Sequence, residues 1–310
     1  MLQSVLARLT QKPLGDLRLN ESMRTHTTFR CEAKAAALLW PDSKASLIEI
    51  VRLLHQEGAL YKMNWDLIGR GSNLLVRDGG YPGLLINLER ACTDLRIVEE
   101  DDESALVLVG SGLANGRLLS FLKEKKLKGF GFSFAIPGSV GGGVRMNAGT
   151  PLGWYAQVTR SVSAIDTEGN AREFSVSESD FSYRNFAKGH NLVITGALMR
   201  FIKSHTQEIV SEIEAAKAKR SNQPLDVPNV GSVFKNPPGY FAAQLIESAG
   251  FKGQRVGDAQ VSPKHSNFIV NLGHAKTSDV LELIDAIQTK VFARDQVHLE
   301  PEVQIIGVNP

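Results

Sequence analysis

The sequence predicts an α+β protein with more than one domain. Its 310 residues exceed what a single hydrophobic core usually serves, so two or three domains are expected. Four segments carry apolar residues at helical spacing, whereas the chain between them consists mostly of short apolar runs and turn residues. Because regular helices do not separate the strands, the order of elements favours α+β over repeated βαβ units.

The four helices are predicted from apolar stripes bounded by caps and stop residues. The first lies between a cap at Asp42 or Ser43 and a stop at Gly58. The others are predicted over Arg117–Lys126, over Thr206–Arg220 and over Ser278–Ala293, the last with Thr277 or Ser278 as its cap.

Short apolar runs predict the strands. Residues Ser161–Phe174 alternate around the turn Asp166–Asn170, which is typical of a hairpin. The other predicted strands are Asp66–Gly69, Gly83–Asn87, Ala105–Val109, Leu192–Thr195 and Asn267–Asn271.

Charge and cysteine content narrow the function classes. The net charge is +2, from 35 basic and 33 acidic side chains, which argues against a nucleic-acid or membrane-surface protein. The two cysteines, Cys31 and Cys92, lack a metal-like spacing, so neither a metal site nor a disulfide framework is expected. The chain has no run of about 18 apolar residues, the length that a membrane-spanning helix requires. These observations predict a soluble cytoplasmic protein.

Two glycine-rich loops are the main candidates for a ligand site. The first, IGRGSNLLV, spans Ile68–Val76, and its glycines free consecutive backbone N–H groups to bind an anion. It lacks the third glycine of the dinucleotide fingerprint and the Lys-Ser/Thr of a P-loop, so by itself it is consistent with a simple turn. The second, AIPGSVGGGVRMNAG, spans Ala135–Gly149 between apolar flanks. Two such loops predict a large phosphorylated ligand, for which a flavin dinucleotide is the natural candidate.

The loops and four further segments together resemble the MurB family of UDP-N-acetylenolpyruvoylglucosamine reductases. The resemblance runs in order along nearly the whole chain. The further segments are SYRNF (Ser182–Phe186), QPLDVPNVGSVFKNP (Gln223–Pro237), AGFKGQRVGDAQVSPKHSNFIVN (Ala249–Asn271) and LEPEVQIIG (Leu299–Gly307).

The resemblance implies a vanillyl-alcohol-oxidase/PCMH-like FAD-binding fold in two domains and a separate α+β substrate-binding domain. We place the first FAD-binding subdomain at residues 1–90, with the strand at 303–310 returning to it. The second subdomain is placed at 91–205 and the substrate domain at 206–302. The implied protein is a monomer.

The implied reaction is the NADPH-dependent reduction of UDP-N-acetylglucosamine enolpyruvate to UDP-N-acetylmuramate, in bacterial peptidoglycan precursor synthesis. FAD is held without a covalent bond, and NADPH and the sugar substrate use the same pocket in turn. A hydride from flavin N5 adds to C3 of the enolpyruvyl group, and C2 then needs a proton.

The resemblance assigns three catalytic residues. Ser232 is the proton donor, although Gly-Ser beside a loop is by itself consistent with a turn or capping residue. Arg184 suits the substrate carboxylate because of its planar fork of donors. Glu302 is useful beside a developing negative charge mainly if it is protonated or paired with Arg184.

Binding roles are assigned to residues of both loops and of the segment around Ser232. Cofactor binding is assigned to Gly69, Arg70, Gly71, Ser72, Asn73, Leu74, Ile136, Pro137, Gly138, Ser139, Gly141, Gly142, Asn147, Ala148 and Gly149. Substrate binding is assigned to Lys235, Asn236, His265 and Arg220.

The chain departs from the family pattern in places. Cys31-Glu32 stands where a glycine pair is usual, and Phe134 or a neighbour stands where a glutamate is often found. Only 48 positions separate Arg184 from Ser232, which indicates the subclass without the inserted loop whose tyrosine caps the substrate. Two alternatives remain: another FAD-dependent oxidase or dehydrogenase of this fold acting on an alcohol or sugar, and a nucleotide-binding module without chemistry.

Overall fold

The computed structural model describes residues 1–189 and 191–310. Two compact units divide the chain. Unit 1 consists of Met1–Leu19, Ala37–Arg70 and Gly83–Arg220, and unit 2 of Asn20–Ala36, Gly71–Pro82 and Ser221–Pro310.

The helices of the described residues lie mostly in unit 1. They are α1 (Leu2–Gln11), α2 (Lys44–Gln56), α3 (Ala59–Lys62), α4 (Asn115–Glu124), α5 (Val140–Arg145), α6 (Tyr155–Val158), α7 (Thr206–Lys219), α8 (Ala242–Ser248) and α9 (Thr277–Asp295). Within the described part of the chain, none of them is long and apolar enough to cross a membrane.

The strands are numerous and short. They are β1 (Gly15–Ser22), β2 (Lys34–Pro41), β3 (Trp65–Ile68), β4 (Leu74–Val76), β5 (Tyr81–Asn87), β6 (Leu95–Glu100), β7 (Ser104–Gly110), β8 (Leu127–Lys128), β9 (Gly149–Thr150), β10 (Gly153–Trp154), β11 (Thr159–Ile165), β12 (Ala171–Ser175), β13 (Phe181–Ser182), β14 (Asn185–Phe186), β15 (Val193–Lys203), β16 (Asn229–Ser232), β17 (Arg255–Val256), β18 (Ala259–Val261), β19 (Phe268–Asn271) and β20 (Gln304–Ile306).

Unit 1 contains two hydrophobic cores. One is built on the sheet β12-β11-β15-β7-β6, and its buried residues include Leu118 of α4, Val144 of α5 and Tyr155 of α6. The other gathers residues of α1, α2 and β5, such as Leu6, Ile50 and Ile86. In the sheet β1-β2-β5-β3, β3 runs parallel to β5.

Unit 2 is built on the sheet β16-β19-β18-β17. Strand β20 lies elsewhere in this unit, parallel to β4, with Gln304 opposite Leu74 and Ile306 opposite Val76. Strand β4 belongs to the first glycine-rich segment, so the last part of the chain returns to that segment.

The two units differ from the three domains predicted by sequence. Residues 20–36 and 71–82, placed in the first domain, belong to unit 2, and α7, placed in the substrate domain, belongs to unit 1. The assignment of two FAD-binding subdomains and a substrate domain stays a prediction.

The predicted helices and the hairpin are confirmed, with two differences at helix starts. Helix α4 begins at Asn115 rather than Arg117. The N-cap residue of α9 is Lys276, not Thr277 or Ser278. The Asp78 carboxylate accepts from the N–H groups of Thr277 and Ser278, at 2.8 and 2.9 Å. A carboxylate from a distant segment therefore caps this helix.

Candidate active site

The first glycine-rich loop depends on glycine for its own packing. Gly71 has φ +58°, and a Cβ there would lie 2.0 Å from the His26 carbonyl oxygen. The Gly71 carbonyl accepts from the Thr28 N–H at 3.1 Å. This close approach of two backbone segments of unit 2 excludes any side chain at position 71.

The second loop contains the short helix α5, whose glycines face different surroundings. A Cβ at Gly143 would lie 2.3 Å from the Tyr155 ring, and one at Gly141 would lie 2.8 Å from Ser111 Cβ. Gly142, in contrast, is exposed, and a Cβ there would meet only Ser139 Oγ, at 3.7 Å. Only Gly142 among these three therefore leaves open space beside the backbone.

The two loops meet at the Ser139 hydroxyl group within unit 1. Ser139 Oγ would lie 2.4 Å from a Cβ at Gly69 and 3.7 Å from one at Gly142. The hydroxyl group fills the space beside Gly69, whereas the backbone at Gly142 next to it is open, so a hydroxyl donor lies beside an open backbone position. This arrangement fits a phosphate-bearing cofactor such as FAD, which needs close backbone approach and hydrogen-bond donors.

Buried asparagines hold the second loop in place. Asn115 donates through Nδ2 to the Ile136 carbonyl at 3.2 Å and accepts from the Tyr155 hydroxyl at 2.6 Å. Its own N–H donates to the Gly138 carbonyl at 3.2 Å. Sequence reasoning missed Asn115 because a single asparagine at a helix start normally indicates only a cap.

The second loop also contacts the hairpin that carries Arg184. Asn147, with φ +41°, donates to the Ser182 carbonyl at 3.1 Å and accepts from the Ala156 N–H at 3.0 Å. Arg184 lies at the turn between β13 and β14 with φ +59°, and its guanidinium lies 4.9 Å from the centre of the Tyr183 ring. Left-handed backbone at a bulky residue is strained and is common at functional sites.

Backbone hydrogen bonds in unit 2 join the segments of Ser232 and Glu302. Ser232 is the last residue of β16 and pairs with Phe268 of β19. The next residue, Val233, accepts from the Glu302 N–H through its carbonyl at 2.7 Å. Asn73 of the first loop donates from its side chain to the Glu302 carbonyl at 3.0 Å. Three predicted site residues from distant parts of the sequence are thus held in one network.

The predicted substrate-binding residues near Ser232 all have protein contacts. Lys235 Nζ pairs with Glu300 at 2.5 Å, and Asn236 Oδ1 accepts from the N–H of Ala242 at the start of α8. The His265 ring packs edge-on against Phe268, the strand partner of Ser232. Their roles in substrate binding stay predictions.

Two arginines with predicted binding roles lie in unit 1, Arg70 for the cofactor and Arg220 for the substrate, and their surroundings differ. Arg70 pairs with Glu89 at 2.7 Å on the surface. Arg220 follows α7, and among the described residues its Nε has no hydrogen-bond partner. Burial lowers the pKa of Arg220 to about 10. Arg220 therefore remains charged at neutral pH in a poorly solvated position, which suits a residue that receives an anion.

The departure at Cys31-Glu32 is accommodated within unit 2. Cys31 is buried, and its N–H donates to Thr27 Oγ1 at 3.0 Å. Glu32 pairs with Arg24 at 2.5 Å and lies 3.2 Å from His274 Nδ1. Both residues therefore have structural contacts where the family usually has a glycine pair.

Comparison with known proteins decides the family. The protein-family model "UDP-N-acetylenolpyruvoylglucosamine reductase, C-terminal domain" matches residues 223–306, and that of an FAD binding domain matches residues 35–175. The UDP-N-acetylenolpyruvoylglucosamine reductase of Heliobacterium modesticaldum is 39% identical over 306 residues, covering 97% of this chain and 94% of that protein. The chain belongs to the UDP-N-acetylenolpyruvoylglucosamine reductase family. The enzyme of the same name from Clostridium tetani is 37% identical, over 94% of this chain and 92% of its own length.

Solved structures agree with this family assignment and with the predicted fold. The family member from Thermus caldophilus has a TM-score of 0.78 and 29% identity, covering 94% of this chain and 98% of that one. A berberine bridge enzyme variant, 18% identical, has a TM-score of 0.50 and covers 65% of this chain and 44% of its own. This second likeness shows the fold alone. Together with the match to the FAD binding domain and the Thermus caldophilus structure, it confirms the predicted fold class.

Proposed function

We propose that this chain reduces UDP-N-acetylglucosamine enolpyruvate to UDP-N-acetylmuramate, with FAD as cofactor and NADPH as hydride donor, in peptidoglycan precursor synthesis. The observation that carries the proposal is the likeness, over nearly the whole chain, to relatives named for this reductase. The FAD-binding domain match and the fit of the two loops to a phosphate-bearing cofactor support the flavin.

Both glycine-rich loops would hold FAD through backbone N–H groups and the Ser139 hydroxyl. Bound FAD would supply the means of carrying a hydride from NADPH to the enolpyruvyl group. The exposed backbone at Gly142 and the hydroxyl beside it are the features of unit 1 that support this role.

Ser232 would give the proton to C2 of the reduced enolpyruvyl group. The carbanion-like intermediate is strongly basic, so a weakly acidic hydroxyl suffices if it is held in position. The backbone hydrogen bond between Val233 and Glu302 supports a fixed position of Ser232, the neighbour of Val233, relative to Glu302. Arg184 would bind the substrate carboxylate, and Glu302 would act protonated or beside a cation.

Arg220, Lys235, Asn236 and His265 would bind the UDP-sugar or the NADPH phosphates. Arg220 is the best supported, because among the described residues its buried Nε has no hydrogen-bond partner and burial lowers its pKa to about 10. A phosphate would compensate that charge.

We place the reaction in the cytoplasm and expect a monomer. Two free, buried cysteines are consistent with a reducing compartment. Analytical ultracentrifugation across a concentration series tests the monomer, and a concentration-dependent mass would contradict it.

Anaerobic mixing tests the proposed function. The purified protein should show flavin absorption bands, NADPH should bleach them, and the enolpyruvyl sugar should restore them with formation of UDP-N-acetylmuramate. NADPH without sugar is the control and should leave the flavin reduced. Bleaching by an alcohol or sugar and recovery only with oxygen would support the alternative oxidase, and absence of flavin bands would contradict both.

A further inference from the structure

The segment that carries Ser232 is held at both ends by asparagine side chains. Before the serine, Asn229 donates to the carbonyls of Pro224 and Val227 at 3.0 and 2.8 Å and accepts from the Gly231 N–H at 2.8 Å. After the serine, the side chain of Asn267 contacts Phe234. Asn229 stabilises a local turn, whereas Asn267 lies far away in the sequence, immediately before β19.

Asn267 makes both of its amide bonds to one residue. Its Oδ1 accepts from the Phe234 N–H at 3.0 Å, and its Nδ2 donates to the Phe234 carbonyl at 2.8 Å. Its main-chain carbonyl also accepts from the Val233 N–H at 2.9 Å. The side chain is 4% exposed, so water does not compete for these bonds.

The opposite side of the same two residues contacts the Glu302 segment. Phe234 forms a bridge with Pro301, and the Val233 carbonyl accepts from the Glu302 N–H at 2.7 Å. Residues 233–234 therefore lie between Asn267 on one side and residues 301–302 on the other. A shift of this segment would move Ser232 relative to Glu302.

We infer that Asn267 is a positioning residue, which sets Ser232 relative to Glu302 through the backbone of Val233 and Phe234. The inference rests on the proposed function, because the roles of Ser232 and Glu302 belong to that reaction. Asn267 itself is assigned no contact with substrate. The amide supplies the acceptor that the Phe234 N–H requires and the donor that the Phe234 carbonyl requires, and an ionised carboxylate supplies acceptors only. A carboxylate at 267 would place an acceptor against the Phe234 carbonyl.

Asn271 provides a matched control at the other end of β19. It is also 4% exposed, and it also bonds only to backbone groups: it donates to the Phe29 carbonyl at 2.9 Å and accepts from the N–H groups of Gly273 and Ala275. None of these side-chain bonds is to residues 232–234, and the main-chain bond from Asn271 N–H to the Pro228 carbonyl does not involve the side chain that is changed. Asn267→Asp and Asn271→Asp thus make the same chemical change at equal burial, and only the first disturbs residues 233–234.

The test compares the two half-reactions of the FAD-loaded variants. In Asn267→Asp, flavin reduction by NADPH should keep its rate, whereas reoxidation by the enolpyruvyl sugar should slow roughly 10- to 100-fold, as expected for a misplaced group. The solvent isotope effect on reoxidation should rise, because proton transfer becomes slower. Asn271→Asp should leave the ratio of the two rates as in the wild type. Equal slowing of both half-reactions, or a normal ratio in Asn267→Asp, would overturn the inference.

A second measurement does not depend on the reaction. Amide hydrogen exchange of the wild-type protein should show strong protection of Val233 and Phe234, and Asn267→Ala should weaken it more than Asn271→Ala does. Rapid exchange at Phe234 in the wild type would overturn the inference even if a variant fails to fold. If the wild type is not reoxidised by the enolpyruvyl sugar, the proposed function fails, and the exchange data still decide whether Asn267 holds this segment.

Discussion

At the scale of single residues, polar groups in poorly solvated positions are the most informative. Asn115 and Asn267 are buried, and both ends of each side-chain amide make hydrogen bonds: those of Asn115 to the Ile136 carbonyl and the Tyr155 hydroxyl, and those of Asn267 to the backbone of Phe234. Arg220 is different, because its Nε has no hydrogen-bond partner among residues 1–189 and 191–310. An asparagine of this kind stabilises a loop, whereas such an arginine favours ligand binding over stability.

Replacing Arg220 should stabilise the protein and weaken substrate binding. Burial depresses the pKa of Arg220 to about 10, below its ordinary value of 12.5, so the charged form is less favourable in the folded state. The unfavourable contribution is fully present at neutral pH and diminishes only as the pH rises through 10. Arg220→Leu should therefore raise the melting temperature by about 2–4 °C for each kcal/mol relieved, while the Kd of the UDP-sugar rises.

Lys219→Leu is the control for Arg220→Leu. Lys219 is exposed in the last turn of α7, so its loss removes a charge from the same helix end without relieving burial. Calorimetry with and without UDP-sugar measures both effects. A lower melting temperature in Arg220→Leu, with unchanged sugar affinity, would contradict the assignment.

At the scale of elements, the glycine-rich loops show what sequence predicts and what it does not. Their composition predicted close backbone approach to a ligand, and the assignment of these residues to cofactor binding stays a prediction. The structure adds a second reason for glycine, because an added Cβ at Gly71, Gly141 or Gly143 would meet the protein's own backbone or side chains. If a larger residue at one of these three positions gave protein without flavin colour, the result would indicate a disturbed fold and would not by itself show a lost cofactor contact.

Gly142→Val is the informative variant for FAD binding. An added side chain there meets only Ser139 Oγ at 3.7 Å within the protein, so the fold should tolerate it and the cofactor should not. Gly116→Val is the control, because Gly116 also lies in a helix with no atom within 4 Å of an added Cβ. Both variants lose similar helix stability.

The measurements for these two variants are the melting temperature of the flavin-free protein and an FAD titration. Gly142→Val should bind FAD at least tenfold more weakly, about 1.4 kcal/mol, at a melting temperature close to that of Gly116→Val. Full flavin occupancy in Gly142→Val would exclude the α5 backbone from the cofactor site.

The strand and helix predictions succeeded where the signal is local. The cap at Ser43 and the hairpin around Asp166 follow from residues close in sequence, and both are present. The hydrogen bonds from the first N–H groups of α9 to Asp78, and those between Asn267 and Phe234, join residues far apart in the chain. No local pattern encodes such pairs, so the sequence could not predict them.

At the scale of the whole molecule, distant segments return to the candidate site within unit 2. Residues 20–36, 71–82 and 221–310 form this unit, so Asn73, Ser232 and Glu302 belong to one folded body. The resemblance to the family predicted these residues as site members. It could not show that backbone hydrogen bonds connect their segments, because that depends on how the unit folds.

Removing β20 should disturb both stability and FAD binding. Gln304 N–H donates to the Asn73 carbonyl at 3.0 Å, and Arg77 N–H donates to the Ile306 carbonyl at 2.9 Å. A chain ending at Val303 loses these bonds and should melt at a lower temperature with weaker FAD affinity. A chain ending at Val308 keeps β20 and serves as the control. Wild-type values in the shorter chain would show that the pairing with β4 is dispensable.

The rate of flavin reoxidation in Ser232→Ala tests the central claim most directly. Rapid mixing of the FAD-loaded variant with NADPH should show normal flavin reduction, because that step needs no proton at C2. Subsequent mixing with the enolpyruvyl sugar should show reoxidation slowed at least about a hundredfold, since positioned proton transfer contributes roughly two to four powers of ten. Ser232→Cys should recover part of the rate, because a thiol can also donate. Near-normal reoxidation in the alanine variant would contradict the assignment of Ser232 as the proton donor.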